Sequence, residues 1–315
     1  MARPGVRTRR ERILIVGTGA MACWFAARLA PQIEVTMAGQ WPAGLEALRK
    51  DGVILEEHAA RVSHRVEVAD YAARLPAFRF ALVLVKAFQT EAAAMALRGW
   101  LAPDGVAVTV QNGLGNLETL VAVLGEDHAA LGVTPAGATL LEPGHVRAGG
   151  DGPTRIAIHP RTPPLVDLLK MAGVQAELSD DALGMAWGKV VLNCAVNPIT
   201  ALMRIPNGGL LQPEARPAWG VACEAAAEAA RVARAEGVRL PYDEPRAELE
   251  RVLKRTAGNR SSMLQDVERA RPTEIEAITG AVVARAEEHN VPVPVNRLLL
   301  ALVRSLDHSS DRGEA

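Results

Sequence analysis

The chain has few aromatic residues, few cysteines and no excess of charge of either sign. Aromatic side chains make up 3% of its 315 residues, and 35 Lys and Arg stand against 36 Asp and Glu, for a net charge of -1. Nucleic-acid-binding proteins usually present a basic surface with aromatic side chains for stacking. The composition therefore argues against a nucleic-acid binder.

The three cysteines, Cys23, Cys194 and Cys223, are far apart and form no C-x-x-C pair. An odd, unclustered set argues against a disulfide framework and against a structural zinc site, so we predict no metal site. No apolar run approaches the ~18 residues needed to span a bilayer, and the basic N-terminal stretch lacks the pattern of a signal peptide. We therefore expect a cytoplasmic chain without membrane contact.

Apolar residues make up 49% of the chain and charged residues 23%, which is enough apolar material for the cores of two domains. In the first half, short β-branched runs alternate with helical stretches, which predicts a parallel sheet covered on both faces. The predicted strands are 12–16, 33–37, 80–85 and 106–110. Residues 145–147 and 155–158, with a glycine-rich stretch between them, predict a hairpin added at the end of this sheet.

From residue 179 onward the strand pattern stops, and helical periodicity runs to about residue 306. Glycines and prolines divide this half into five or six helices. We predict an α/β fold with a Rossmann-like doubly wound sheet followed by an all-α domain. The predicted organisation is a basic tail 1–11, a dinucleotide-binding domain 12–179, a helical substrate and catalytic domain 180–308, and a tail 309–315.

The first motif directly follows the first predicted strand. It is a G-x-G-x-x-A sequence made of Gly17, Thr18, Gly19, Ala20, Met21 and Ala22. In dinucleotide-binding folds the first glycine makes the tight turn, the second lets a pyrophosphate approach the backbone, and the small third residue permits close packing of helix on strand. The alternative is a glycine turn that binds nothing, but its place in the first βα unit favours a cofactor site.

The cofactor's ribose 2′ position is read at the end of the second strand. That strand ends in Gly39-Gln40, which is neither the acid typical of NAD sites nor the arginine typical of NADP sites. Arg49 and Lys50 are near in sequence, but nothing indicates that they reach the ribose. The residues alone leave the choice of cofactor open.

The second motif lies in the first helix of the C-terminal half. Lys189, Asn193 and Asn197 are spaced i, i+4, i+8 among apolar residues, so they share one face of a largely buried helix. Burying such groups is unfavourable unless partners satisfy them. The alternatives are an internal hydrogen-bond network and a face that lines a ligand site, and the shared stripe favours the second.

Two further groups of polar residues complete the set. Ser262 and Glu274 lie in a helical region, where Glu276 with Thr273 fits a capping box and Glu274 fits either a solvated helix start or a site. Lys86 and Asn112 each follow a predicted strand, and ligands of doubly wound sheets bind at that edge.

Together these motifs resemble the ketopantoate reductase family (2-dehydropantoate 2-reductase) over nearly the whole chain. The matching stretches are the glycine motif, VKAFQT, QNGLGN, WGKVVLNCAVNPITAL and SSMLQDVERARPTEIEAI. The resemblance implies a C-terminal domain like that of 6-phosphogluconate dehydrogenase. It also implies NADPH-dependent reduction of ketopantoate to pantoate in pantothenate and coenzyme A biosynthesis.

The resemblance also implies roles for individual residues. Lys189 would be the proton donor, with Glu274 contacting the bound ligands. The residues that would contact substrate are Asn112, Asn193, Asn197, Asn207 and Ser262. Beside the glycine motif, those that would contact the cofactor are Gln40, Lys86, Asn112, Ala138 and Glu274. The resemblance favours NADP(H). Members commonly carry Arg where this chain has Gln40, so NAD(H) stays open.

Two other functions remain open from the sequence. A related reductase could act on another 2-oxo acid or an imine, because the sequence does not show the shape of the substrate pocket. A cofactor-binding protein without turnover is less compatible with an intact proton donor. The expected partner is a small-molecule substrate, and a homodimer is compatible with the sequence.

Overall fold

The computed structural model describes residues 11–58 and 60–310, with backbone only for 307–310. The predicted N-terminal tail, except Glu11, and residues 311–315 lie outside the described residues. The chain divides into two compact units. The first contains the chain up to Val85, Gln89–Gln111 and Leu117–Asp180, and the second contains Lys86–Phe88, Asn112–Asn116 and the chain from Asp181 onward.

The described strands all lie in the first unit. In chain order they are β1 Arg12–Val16, β2 Glu34–Gly39, β3 Val53–Glu57, β4 Ala60–His64, β5 Glu67–Asp70, β6 Phe78–Val83, β7 Leu101–Thr109, β8 Ala129–Val133, β9 Gly137–Glu142, β10 His145–Gly150, β11 Thr154–Ala157 and β12 Ala176–Ser179. The α-helices of this unit are α1 Ala20–Leu29, α2 Pro42–Asp51, α3 Thr90–Leu97, α4 Asn116–Leu124 (which starts on the last residue of a second-unit segment) and α5 Pro163–Met171.

Eight strands form the large sheet, in the order β12-β11-β8-β7-β6-β1-β2-β5. From β5 to β8 neighbouring strands are parallel, and their order is the 3-2-1-4-5-6 of a dinucleotide-binding sheet. Alternate residues of β1 enter two different cores, with Ile13 and Ile15 in one and Leu14 and Val16 in the other. Both faces of the sheet are therefore covered, which confirms the predicted fold class.

The predicted hairpin is wrong in its partners. β10 pairs antiparallel with β9, across the Pro143-Gly144 turn, and parallel with β3. Both hydrogen-bonding edges of β10 are thus used within a separate four-stranded sheet, β4-β3-β10-β9. The other half of the predicted hairpin, β11, instead pairs antiparallel with β8 in the large sheet.

Strands β3, β4 and β5 were not predicted from the sequence. The reason is visible in β4, whose five residues include no buried side chain and therefore carry no hydrophobic periodicity. Backbone pairing with β3 over the full length of the strand, not side-chain burial, makes this segment a strand.

The second unit is helical. Its α-helices within the described residues are α6 Ala182–Met203, α7 Arg216–Ala235, α8 Pro245–Arg255, α9 Ser262–Glu268, α10 Ala281–Glu288 and α11 Pro294–Ser310. Short 3-10 helices cover Asn207–Leu211 and Pro213–Ala215, and a π-helical turn covers Glu276–Gly280. Helix α6 starts where the side chain of Asp181 accepts a hydrogen bond from the Gly184 amide, and it packs on the alanine-rich face of α7.

Candidate functional site

The turn between β1 and α1 contains the glycine motif. Gly17 has φ +135°, and a Cβ there would lie 2.8 Å from the carbonyl oxygen of Leu84 just beyond β6, so only glycine fits. Gly19 caps the start of α1, and a Cβ at that position would meet nothing within 4 Å. The start of α1 is therefore open beside Gly19, and the first amides of a helix can bind an anion such as a pyrophosphate.

The other residues of the motif are buried to different extents. Ala22 is fully buried among the strands, as expected for the small third position. Thr18 is also buried, whereas Ala20 and Met21 are half-buried. The motif thus combines a packing role for its ends with an open backbone at its centre.

The predicted 2′-reading position, Gln40, is exposed directly after β2. Arg49 and Lys50 lie in the last turn of α2, roughly 10 to 12 Å along that helix from its start at Pro42, at 1.5 Å per residue. Their backbone carbonyls accept hydrogen bonds from Arg65. Ala138, expected beside the nicotinamide, is half-buried in β9, where it pairs with Ala148.

Helix α6 presents the predicted polar stripe. Lys189 and Asn193 are half-buried, and Asn197 is 5% exposed. Neither asparagine side chain forms a hydrogen bond with a described residue. The two amides are therefore not members of an internal hydrogen-bond network, which was the structural alternative for this stripe.

Lys189 has an altered pKa. Burial lowers the pKa of Lys189 to about 8, although the carboxylate of Glu274 acts in the opposite direction. A group with a pKa close to physiological pH transfers protons effectively. Glu274 is itself buried, on the turn that leads into the π-helical segment.

Lys86 lies between two carboxylates of the second unit. Its Nζ is 2.6 Å from Oδ2 of Asp266 and 3.6 Å from Oε2 of Glu274, while the amide of Ala87 donates to Oε1 of Glu274 at 3.1 Å. Asp266, only 9% exposed, was not singled out from the sequence. A signal existed, because Asp266 is four residues from Ser262 and so shares its face of α9.

The two lysines of this region differ in their electrostatic surroundings. Burial lowers the pKa of Lys86, but the nearby charges of Glu274 and Asp266 outweigh burial and leave the pKa raised. Burial raises the pKa of Asp266 despite the opposing effect of Lys86. Lys86 therefore stays positively charged, and Lys189 is the lysine that is suited to exchange a proton.

Asn112 belongs to a short segment held by backbone contacts. The Leu114 amide donates to the Ala277 carbonyl at 2.9 Å, and Nδ2 of Asn116 donates to the Asn112 carbonyl at 2.9 Å. The Asn112 side chain forms no hydrogen bond with a described residue. Its neighbour Gln111, by contrast, is fully occupied by Thr109, Val85 and Thr90.

Two predicted substrate residues have different surroundings. Asn207 donates through Nδ2 to Thr256 Oγ1 at 3.0 Å, and its Oδ1 is buried without a hydrogen-bond partner among the described residues. Ser262 is exposed, whereas the adjacent Ser261 is buried, caps α9 through Leu264 and bonds Thr200 at 2.7 Å. One serine of the pair stabilises the fold, and the other is accessible.

Glu276 lies only two residues from Glu274 but has another partner. Its carboxylate is bound by Arg304 of α11 through two hydrogen bonds of 2.6 and 2.7 Å. Both side chains are at least half exposed. This ion pair ties α11 to the π-helical turn.

Across the described ranges 11–58 and 60–310, no group of three or more His, Cys, Asp or Glu is placed to hold a metal ion. No helix among those residues is long and apolar enough to cross a membrane.

Comparisons with known proteins agree on one family. A family model described as "Ketopantoate reductase PanE/ApbA" matches residues 13–161, and its C-terminal counterpart matches residues 181–307. The 2-dehydropantoate 2-reductase of Archaeoglobus fulgidus is 35% identical over 95% of this chain and 99% of its own length.

Solved structures show the same architecture. A PanE/ApbA family ketopantoate reductase from Ralstonia eutropha superposes with a TM-score of 0.88 at 31% identity, covering 95% of this chain and 99% of the other. A D-mandelate dehydrogenase in ternary complex with NADH and anilino(oxo)acetate superposes with a TM-score of 0.89 at 23% identity, with the same coverage. The second likeness concerns the fold alone.

Proposed function

Because the chain belongs to the ketopantoate reductase family, we propose that it reduces ketopantoate to pantoate with NADPH and that Lys189 is the proton donor. The chain is an enzyme of the pyridine-nucleotide-dependent oxidoreductase class to which that family belongs. In this proposal residues 12–179 bind the nucleotide and residues 180–308 bind the substrate and carry the proton donor.

One observation carries the proposal. Lys189, with a pKa lowered to about 8, shares a helix face with two asparagine amides that bond no described residue. Neither amide is among the buried side-chain atoms that lack a partner, so both reach accessible space, where polar groups that the protein does not bond are available to a ligand. An ammonium beside unbonded amides suits a substrate that has a carboxylate, a hydroxyl and a ketone.

The chemistry of the protein groups follows from their types. A bound reduced nicotinamide supplies the hydride to the ketone carbon. The Lys189 ammonium stabilises the negative charge that develops on the ketone oxygen and then donates a proton to it. Asn193 and Asn197 hold hydroxyl or carboxylate oxygens without adding charge, and Glu274 favours the protonated form of Lys189.

The described residues fit the nucleotide. Gly17 lets β1 turn beneath the Leu84 carbonyl, and Gly19 leaves the start of α1 open for a pyrophosphate. Lys86 and Asn112 follow β6 and β7, beyond the carboxyl ends of these parallel strands. We propose that both contact the nucleotide, with Ala138 beside the nicotinamide.

NADPH is favoured from the family, although Gln40 supplies no charge to a 2′-phosphate. The experiment is to mix the purified protein with ketopantoate and follow nicotinamide absorbance at 340 nm, roughly the absorption maximum of reduced nicotinamides, with NADPH and NADH in parallel. We expect NADPH to be oxidised faster. Gln40→Arg should then lower the KM for NADPH by about 10-fold and leave the KM for NADH unchanged, since an arginine pairs with the 2′-phosphate.

Other outcomes of this experiment are informative. Equal or faster oxidation of NADH would support the proposed reaction and contradict the proposed preference for NADPH. Oxidation of neither nucleotide with ketopantoate, but of one with another 2-oxo acid or an imine, would identify a related reductase. Tight nucleotide binding without turnover on any of these would contradict the proposed activity. A cytoplasmic location and a homodimer stay predictions, and sedimentation velocity would test the second.

A further inference from the structure

The segment that carries Asn112 contacts the π-helical turn at Ala277. The Ala277 carbonyl accepts the Leu114 amide at 2.9 Å. At Gly113 an added Cβ would lie 2.5 Å from that carbonyl oxygen and 2.8 Å from the Ala277 Cβ. The backbone of residue 113 therefore touches Ala277 so closely that no side chain fits between them.

The π-helical turn is itself informative. Such turns are rare, and they occur mostly as local insertions in α-helices at functional sites. Here the turn covers Glu276–Gly280. Ala277 lies within it, three residues after Glu274. The short stretch from Glu274 to Ala277 thus accepts hydrogen bonds from two other segments. The Ala87 amide donates to Glu274, and the Leu114 amide donates to Ala277.

A second contact acts within the segment. Nδ2 of the buried Asn116 donates to the Asn112 carbonyl, so both ends of the segment are constrained. The side chain of Asn112 is the part that no described residue bonds. The backbone is fixed while the amide stays available.

We propose that Gly113 and Ala277 are positioning residues. Their backbone contact holds the Asn112 amide in the position that binds the ligands. The inference rests on the proposed role of Asn112 at the nucleotide and the substrate. It assigns to the second glycine-containing motif, QNGLGN, a function unlike that of the first. Gly113 lets one segment of protein backbone pack against another.

The chain offers a matched control for this proposal. Gly115 has φ +88°, close to the +86° of Gly113, but a Cβ at Gly115 would meet nothing within 4 Å. Gly113→Ala and Gly115→Ala therefore both place an alanine at a positive φ, and only the first disturbs the contact with Ala277.

The test is a double-mutant cycle with Asn112→Ala, measured on the full chain by the Kd of NADPH from nucleotide fluorescence and by kcat/KM. We expect Gly113→Ala and Asn112→Ala each to raise the Kd about 10-fold, the usual scale for losing one or two hydrogen bonds. The double variant should show about the same 10-fold loss, because both changes remove the same contact. Gly115→Ala should change the Kd less than about 3-fold. It should lower Tm, because alanine at a positive φ is strained.

Additive losses of about 100-fold in the double variant would overturn the proposal, as would equal effects of Gly113→Ala and Gly115→Ala. If Gly113→Ala does not fold, Ala277→Val, which enlarges the side chain beside Gly113, replaces it in the same cycle. Because the Kd is read without turnover, a parent protein inactive on ketopantoate would contradict the proposed function and still leave this cycle decisive.

Discussion

The glycine turn between β1 and α1 and the polar cluster of the second unit are built in opposite ways. The β1–α1 turn places its groups within six consecutive residues and offers backbone amides. The polar cluster of the second unit is assembled from side chains far apart in sequence, such as Lys86 and Asp266, which are 180 residues apart. A contiguous backbone site depends on local conformation, whereas the dispersed cluster depends on the folding of the whole helical unit.

The difference extends to energetics. Backbone amides at a helix start are present in any sequence that forms the helix, so the turn needs only residues that permit its shape. Charged side chains that leave water need partners, and removing one partner leaves an unpaired charge. Lys86 has Asp266 and Glu274 as such partners, and Glu274 also acts on Lys189, whose pKa burial lowers to about 8. Substitutions should therefore act on shape in the first region and on charge in the second.

The largest effect is expected from Lys189→Met, which keeps the volume of the side chain and removes its charge and proton. The kcat on ketopantoate should fall by about 10²-fold or more, the scale for losing a general acid. The Kd of NADPH should change less than about 3-fold, because the proton donor acts on the substrate. The exposed Lys254, replaced by Met in the same way, is the control. Retained turnover in Lys189→Met would remove this residue from the mechanism.

The next effect separates the two glycines of the turn. Gly17→Ala should destabilise the protein by about 2 kcal/mol or more, because its Cβ would collide with the Leu84 carbonyl at a positive φ. Gly19→Ala, at an ordinary φ of -84° and in open space, should leave Tm nearly unchanged and raise the nucleotide Kd about 10-fold, since the new methyl obstructs the phosphates. Thermal unfolding and nucleotide titration distinguish them. Equal Tm values for both variants would contradict this division of roles.

A smaller, continuous effect is expected from pH. Reduction requires protonated Lys189, whose pKa is lowered to about 8, so kcat should be constant below that value and fall as pH rises through it. Glu274→Gln removes the charge that raises this pKa, so the midpoint should move to lower pH. The pH–rate profiles of the two proteins provide the measurement. A midpoint that moves upward, or stays in place, would show that Glu274 does not act on Lys189.

The smallest effect is expected at Glu276, the neighbour that resembles Glu274 in sequence. Glu276→Gln weakens an exposed ion pair with Arg304, and such pairs contribute about 1 kcal/mol or less. The steady-state constants and the pH profile should equal those of the parent protein, in contrast to Glu274→Gln. A kinetic defect in Glu276→Gln as large as that of Glu274→Gln would mean that the ion pair, not the buried acid alone, maintains the site.

Much of the fold could be predicted because its signals are short in range. The strand 12–16, the glycine turn after it and the polar stripe of α6 each depend on residues within one or two turns of helix or one strand. The predicted hairpin was wrong because several segments compete to pair with one strand. Strands β9 and β3 occupy both edges of β10, so none is left for β11. Strand β4 was missed because a strand without buried side chains has no pattern to detect.

By itself, the sequence determined the fold class, the place of the glycine turn and the face of α6 that carries Lys189, Asn193 and Asn197. Only the tertiary structure decided which polar groups are already committed to the protein. It occupied Gln111 and left the Asn112 amide unbonded, buried Ser261 and exposed Ser262, and brought Asp266 to Lys86. The physical reason is that a polar side chain is available to a ligand only when its remote neighbours leave it so, and those neighbours are chosen by packing.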